Sequence, residues 1–300
     1  LNRTTTYQSS VFSFAKGKIR DYMLLVKFRL SLIVVFSAVA GLLLAAGTSS
    51  VSFAQIFYLA LGGFLITGCA NGLNQVIEKE FDKKMVRTQN RPLAADRMTV
   101  VEAIIACGIM GFAGIITLWY SFNAVTALLG TLSLITYAFI YTPMKRVSPI
   151  AVFIGAIPGA LPPMIGFVAL QGTISFEAFV LFSIQFLWQF PHFWAIAWVC
   201  DDDYRNAGFR LMPSANGRSK QSAFQNILYI IFLIPVSLIP FFIHQAGIIS
   251  AVIILLIGLV FLAQSVNLYN KCTVKSARTL MFGSFIYLPV VLASLVIDKI

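Results

Sequence analysis

Charged side chains divide the chain into long apolar runs, over residues 30–77, 103–144, 147–176, 178–200, 221–270 and 279–297. A helix needs about 20 apolar residues to cross a bilayer, so most of these runs are too long for one crossing. Polar, turn-forming breaks divide them at Gly47-Thr-Ser-Ser, Trp119-Tyr-Ser-Phe-Asn and His244-Gln-Ala-Gly. The pattern then predicts nine spans, near 28–46, 53–77, 100–119, 123–142, 150–170, 177–199, 222–243, 247–269 and 279–297. It gives an all-α, polytopic membrane protein in which a cytoplasmic segment, 1–27, precedes a single nine-helix domain, 28–300.

Composition agrees: 59% of the 300 residues are hydrophobic and 11% charged, against roughly 25% charged in soluble domains, and mean hydropathy is +0.86. The net charge of +11 would suggest nucleic acid in a soluble chain. Here the cations lie in alternate loops: Arg3 to Arg29, Lys79 to Arg97, Lys145 and Arg146, Arg205 to Lys220, and Lys271 to Arg278. The intervening loops carry none, and Lys299 alone falls on the other side. By the positive-inside rule this orients the chain N-in and C-out. The charge therefore reports insertion in a bilayer, and no nucleic-acid partner is expected. Residues 1–22 lack an apolar core followed by a small-residue cleavage site, so no signal peptide is expected. Cys69, Cys107, Cys200 and Cys272 are widely spaced and read as small apolar fillers.

Acidic residues contribute little to orientation, yet six of the eleven form two clusters at inner helix ends: Glu78, Glu80 and Asp82, then Asp201, Asp202 and Asp203. Asn74, Glu78 and Asp82 recur every fourth residue and so share one helix face. Two carboxylates one turn apart repel unless a cation lies between them, and oxygen ligands of this kind suit Mg²⁺. Each cluster is followed by Arg and then Pro, as Arg91-Pro92-Leu93 and Arg210-Leu211-Met212-Pro213. This predicts a four-helix internal repeat that brings both acidic ends to one central cavity. Carboxylates with Arg87, Arg91, Lys145, Arg146, Lys27 and Arg29 on one side are what a magnesium-bound diphosphate requires.

The string Asn74-xxx-Glu78-xxx-Asp82-xx-Met85-x-Arg87-Thr88-xx-Arg91-Pro92-Leu93 resembles the signature of the protohaem IX farnesyltransferases, or haem O synthases, within the UbiA-type membrane prenyltransferase superfamily. Two further stretches match: 141-YTPMKR-146 with Gly155 and 159-GALPPMIG-166, and 188-WQFPHFWAIA-197 leading to Asp203-Tyr204. The sequence departs at Phe28, where the family usually has Pro, at Ala151, where it has Asn, and in its run of three Asp. The resemblance implies Mg²⁺ held by Asn74, Glu78, Asp82 and Asp203, with Asp201 or Asp202 as alternatives. It implies diphosphate held by Arg87, Arg91, Tyr141 and Lys145, with Lys27, Arg146 and Arg210 as further cations. The implied substrates are farnesyl diphosphate and haem b, with the active-site mouth on the cytoplasmic side of a bacterial inner membrane. Hand-over of the product to a haem-modifying enzyme or terminal oxidase would follow.

His192 follows Pro191 inside an apolar span, among Trp188, Phe190, Phe193 and Trp194. An ionisable group at that depth marks a functional site by default, and a haem substrate makes it a candidate acceptor contact beside a purely structural hydrogen bond. Two alternatives stand: a quinone or lipid-precursor prenyltransferase using the same diphosphate site, and a transporter, whose site would lie nearer the membrane midplane.

Overall fold

The structure is a computed structural model that describes residues 16–214 and 216–300. Residues 1–15, including Arg3 of the expected N-terminal segment, lie outside the described residues. Nine helices long and apolar enough to span a membrane occur among the described residues: α1 (Phe28–Ala45), α2 (Phe53–Asp82), α3 (Val100–Ser121), α4 (Ala124–Met144), α5 (Ala151–Gln171), α6 (Phe176–Val199), α7 (Lys220–Phe242), α8 (Ile248–Lys271) and α9 (Val274–Ile297). A short helix, Asp201–Asn206, follows α6.

The helix starts are written in local chemistry. Ser52 and Gln55 form a reciprocal capping box at α2, and Thr273 and Ser276 do so at α9. The Asn123 side chain accepts from the Thr126 amide at 2.9 Å, which converts the polar break after Trp119 into the start of α4. Such caps satisfy amides that have no partner within the helix. Two ends differ from the hydropathy reading. The α2 backbone runs on to Asp82, because Glu, Lys and Gln are good helix formers and apolarity sets only where lipid ends. Similarly, α9 begins at Val274 behind its Thr273 cap.

Sequence-adjacent helices pack together, and α9 returns to touch α1, which closes the bundle into a ring. α5 is the most enclosed span, with 78% of its apolar window buried, whereas α3 has 22% and forms the periphery. The crossing of α1 with α5 is made backbone to backbone. A Cβ on Gly41 would collide with the Pro163 carbonyl, and one on Gly166 with the Ala38 carbonyl. Small residues at such crossings replace the hydrophobic effect, which lipid cannot supply between helices, with close van der Waals contact. The ring is tied off by Lys299, whose Nζ donates to the Leu43 carbonyl at 2.9 Å, and by Asp298, which accepts from the Ser250 amide at 2.7 Å.

Gly166→Leu is expected to force α1 from α5 and lower stability by about 1–3 kcal/mol or more. Gly108, where an added Cβ meets nothing within 4 Å, serves as the control: Gly108→Ala should hold or raise stability. Thermal unfolding of both variants in detergent checks the pair.

Candidate active site

One cavity of about 270 Å³ opens where α1 begins and α2, α4 and α6 end. It is lined by four formal cations, Lys27, Arg87, Arg91 and Lys145, and two carboxylates, Glu78 and Asp82. Both carboxylates are buried, as is Asn74 beside them. A buried carboxylate is costly unless paired, and each has its partner. Arg91 Nη1 reaches both Asp82 oxygens, at 2.7 and 2.8 Å. Lys145 Nζ lies 2.5 Å from Glu78 Oε1. Lys27 Nζ donates to Asn74 Oδ1 at 3.1 Å, while Asn74 donates its amide to Thr142 Oγ1 at 3.1 Å.

The loop after α2 explains why Arg91 can turn back. Thr88 Oγ1 donates to the Asp82 carbonyl at 3.0 Å, Met85 is buried in the main core, and Leu93 packs into a small second core with Leu25, Met98 and Ala103. Burying Leu93 pins the loop, and the residue two positions earlier faces the cavity. Lys27 is itself constrained. It caps α1 with φ 47° and ψ 57°, a left-handed conformation uncommon for a side chain other than Gly, Asn or Asp. Burial pushes its ammonium well below the usual lysine range, and the Arg91 and Lys145 charges push the same way. Lys145 is also lowered by burial, but Glu78 opposes that shift. Its ammonium stands 4.9 Å over the Tyr141 ring and 5.6 Å over the Phe209 ring.

The second acidic cluster reaches the same mouth through one residue. Asp203 Oδ2 accepts from the Arg87 amide at 3.4 Å, and Arg87 Nη2 donates to Tyr204 Oη at 3.3 Å. Asp201 instead pairs with Arg205 at 3.1 Å, and Asp202 pairs with Arg218 at 3.1 Å. These two acids therefore fasten the loop before α7 and do not line the cavity. Neither do three of the predicted cations, Arg29, Arg146 and Arg210, and Arg29 is exposed. Arg146 lies with its guanidinium 4.5 Å over the Phe81 ring, and exposed Arg210 gives only its amide, to the Lys145 carbonyl at 3.0 Å. Neither side chain lines the cavity. Asp203 also stands at the rim, outside the lining.

Several lining residues carried no signal used in the sequence reading: Leu30, Tyr137, Val152 and Phe209. Tyr137 was the most accessible, one turn before Tyr141. The intervening segment, Thr136–Tyr141, is π-helical, a local widening often found at functional sites. Gly155 admits the Tyr141 ring, since a Cβ there would approach it to 2.6 Å.

The sequence model of the UbiA prenyltransferase family matches residues 34–288. The chain belongs to the UbiA prenyltransferase family. It is similar to the protoheme IX farnesyltransferase of Cytophaga hutchinsonii, 48% identical over 286 residues covering 95% of this chain and 99% of that one. The protoheme IX farnesyltransferase of Christiangramia forsetii is 43% identical over 283 residues, covering 93% of each chain. Among solved structures, a digeranylgeranylglyceryl phosphate synthase aligns with TM-score 0.78 at 16% identity, covering 94% of this chain and 98% of that chain. A UbiA homolog from Archaeoglobus fulgidus bound to GPP and Mg²⁺ aligns with TM-score 0.68 at 13% identity, covering 92% of this chain and 99% of that chain. At those identities the structural likeness speaks for the fold. The chain is thus an integral membrane prenyltransferase, and the transporter alternative falls.

Removing the Glu78 charge removes what opposes the burial shift on Lys145. Glu78→Gln is expected to lower the Lys145 pKa further, so that amine-reactive labelling at this residue begins at lower pH than in the parent. Mass spectrometry of labelled peptides across a pH series measures this.

Proposed function

We propose that the chain transfers a farnesyl group from farnesyl diphosphate to a vinyl group of haem b, giving haem O and diphosphate. The observation that carries the donor half is the single cavity mouth where buried acids and four cations meet. The shared name of the relatives, at 48% and 43% identity over nearly the whole chain, supports haem as acceptor. The mouth opens to the cytoplasm, by the alternation of cationic loops, in a bacterial inner membrane. Residues 28–300 act as one domain behind the cytoplasmic segment 1–27.

The donor set suits Mg²⁺: Asn74, Glu78 and Asp82 offer only oxygen to the cavity, with Asp203 at its rim. When bound, the ion neutralises diphosphate oxygens and stabilises the leaving group. Arg91 and Lys145, paired to carboxylates in the free protein, turn to diphosphate oxygens in the complex, joined by Arg87 and Lys27. Arg forks suit phosphate oxygens, whereas Lys acts as a point charge. The Tyr141 hydroxyl adds a donor.

As the C1–O bond breaks, diphosphate leaves with the electron pair, and the allylic cation forms against the ring faces of Tyr137, Tyr141, Phe193 and Phe209. Those faces stabilise positive charge and exclude water. The terminal vinyl carbon of haem then bonds to C1. The positive charge passes to the inner vinyl carbon, which takes water oxygen as a proton is released.

Purified protein with farnesyl diphosphate, haem b and Mg²⁺ should yield haem O by mass spectrometry. Asp82→Asn and Glu78→Gln should each reduce the rate by at least about 100-fold, the scale of lost electrostatic stabilisation at a leaving group. Asp202→Asn, at an exposed pair, should leave it close to the parent. Chelation of divalent metal should stop the reaction and added Mg²⁺ restore it. Transfer to a quinone precursor in place of haem would overturn the acceptor and keep the donor site.

A further inference from the structure

Resting on the haem reading of the acceptor, we propose that His192 Nε2 is an axial ligand to the haem iron, held in the required tautomer by Ser284. The argument starts at the contact of α6 with α9. His192 Nδ1 lies 2.9 Å from Ser284 Oγ. The Ser284 hydroxyl has one proton, and it is donated to the Met281 carbonyl at 2.6 Å. Ser284 Oγ can therefore only accept from the imidazole. The Nδ1 atom carries the ring proton, and Nε2 is left with a free lone pair. Iron-ligating histidines are set up in this way, with the distal nitrogen donating to a fixed acceptor that fixes both tautomer and ring plane.

The ring is also locked in orientation. It stacks on Trp188 at 4.3 Å between centroids and 21° between planes, with Phe285 at 5.3 Å on another side. Trp188 is held in turn by its indole N–H, which donates to the Ser284 carbonyl at 2.9 Å. Ser284 thus positions both aromatic side chains, one through its hydroxyl and one through its backbone. A structural histidine would be satisfied by the Nδ1 contact alone; the place of this ring in the cavity lining is what points to a ligand.

His192 lines the same cavity as the diphosphate candidates, in its apolar part with Leu30, Val152, Phe193 and Ile196. It stands about 10 Å along α6 from the end at Val199, at 1.5 Å rise per residue. The diphosphate cations lie at the mouth and the imidazole lies deeper. Iron bound there would anchor the porphyrin by its centre and leave a vinyl-bearing edge to meet C1 of the prenyl donor. His192 is then a catalytic residue that fixes the acceptor, and Ser284 is a positioning residue.

The test titrates haem b into the purified, full-length protein in detergent without any prenyl donor, so that ligation is read apart from turnover. The parent should bind haem saturably and show an iron–histidine stretching band by resonance Raman in the ferrous state. His192→Gln should abolish the band and weaken haem binding by at least about tenfold. His192→Gly should regain the band with added imidazole, which also shows that the fold survives. Ser284→Ala should keep the band but move its frequency, because the Nδ1 proton loses its acceptor. An unchanged band in His192→Gln, or saturable haem binding by the parent without any band, overturns the ligand and leaves the acceptor reading standing. A parent that binds no haem overturns both.

Discussion

The site depends on the cost of placing carboxylates at the dry end of a transmembrane helix. Glu78 and Asp82 are buried, and neither is tolerable there alone. Lys145, just past the end of α4, and Arg91, from the loop after α2, cancel them, and in doing so bring three separate segments to one point. Lys27 adds a fourth by reaching Asn74 from the start of α1. The same charges that make a ligand site also specify which helix ends must converge. Had the acids faced water, neither the loop after α2 nor the end of α4 would be constrained in this way.

The spans were legible because two independent signals agreed, apolar length between charges and cations confined to alternate loops. The structure adds the local reason: the break that ends at Asn123 caps one helix, and Ser52, just past the Gly47-Thr-Ser-Ser break, caps another. The acidic face of α2 was legible too, as four-residue spacing is a geometric fact of the helix. The second acidic run was not. Asp201, Asp202 and Asp203 are adjacent and chemically alike, and what separates them is Arg205 one turn away and Arg218 beyond a loop. The Asp201–Arg205 pair stands at four-residue spacing, whereas the Asp202–Arg218 pair crosses a loop and leaves no trace in local spacing. Phe209 and Val152 were missed because an apolar residue in an apolar chain carries no mark of facing a cavity. Arg29, Arg146 and Arg210 stand outside the cavity lining, which spacing could not show, since a cation near a helix end reads alike whether it faces a cavity or the surface.

Charge and apolarity are divided along the depth of the cavity. The mouth is cationic and hydrogen-bonded, whereas its apolar part is walled by Leu30, Val152, Phe193 and Ile196 with the His192 edge. A diphosphate with an isoprenoid tail has the same division, charged at one end and hydrocarbon along the rest. The π-helical turn in α4 serves this arrangement by presenting Tyr137 and Tyr141 at the border between the two regions.

The closure of α9 onto α6 has a consequence for how the molecule is made. Synthesis runs from the N-terminus and early segments assemble first, so α1 to α6, with every charged residue of the cavity lining, enter the membrane before α9 exists. Until Ser284 arrives, His192 and Trp188 have no acceptors for their N–H groups, and the apolar wall has no backing. A nascent chain thus holds its full complement of lining charges while its deep wall is unfinished. The order of insertion leaves the half of the cavity that excludes water to be completed last.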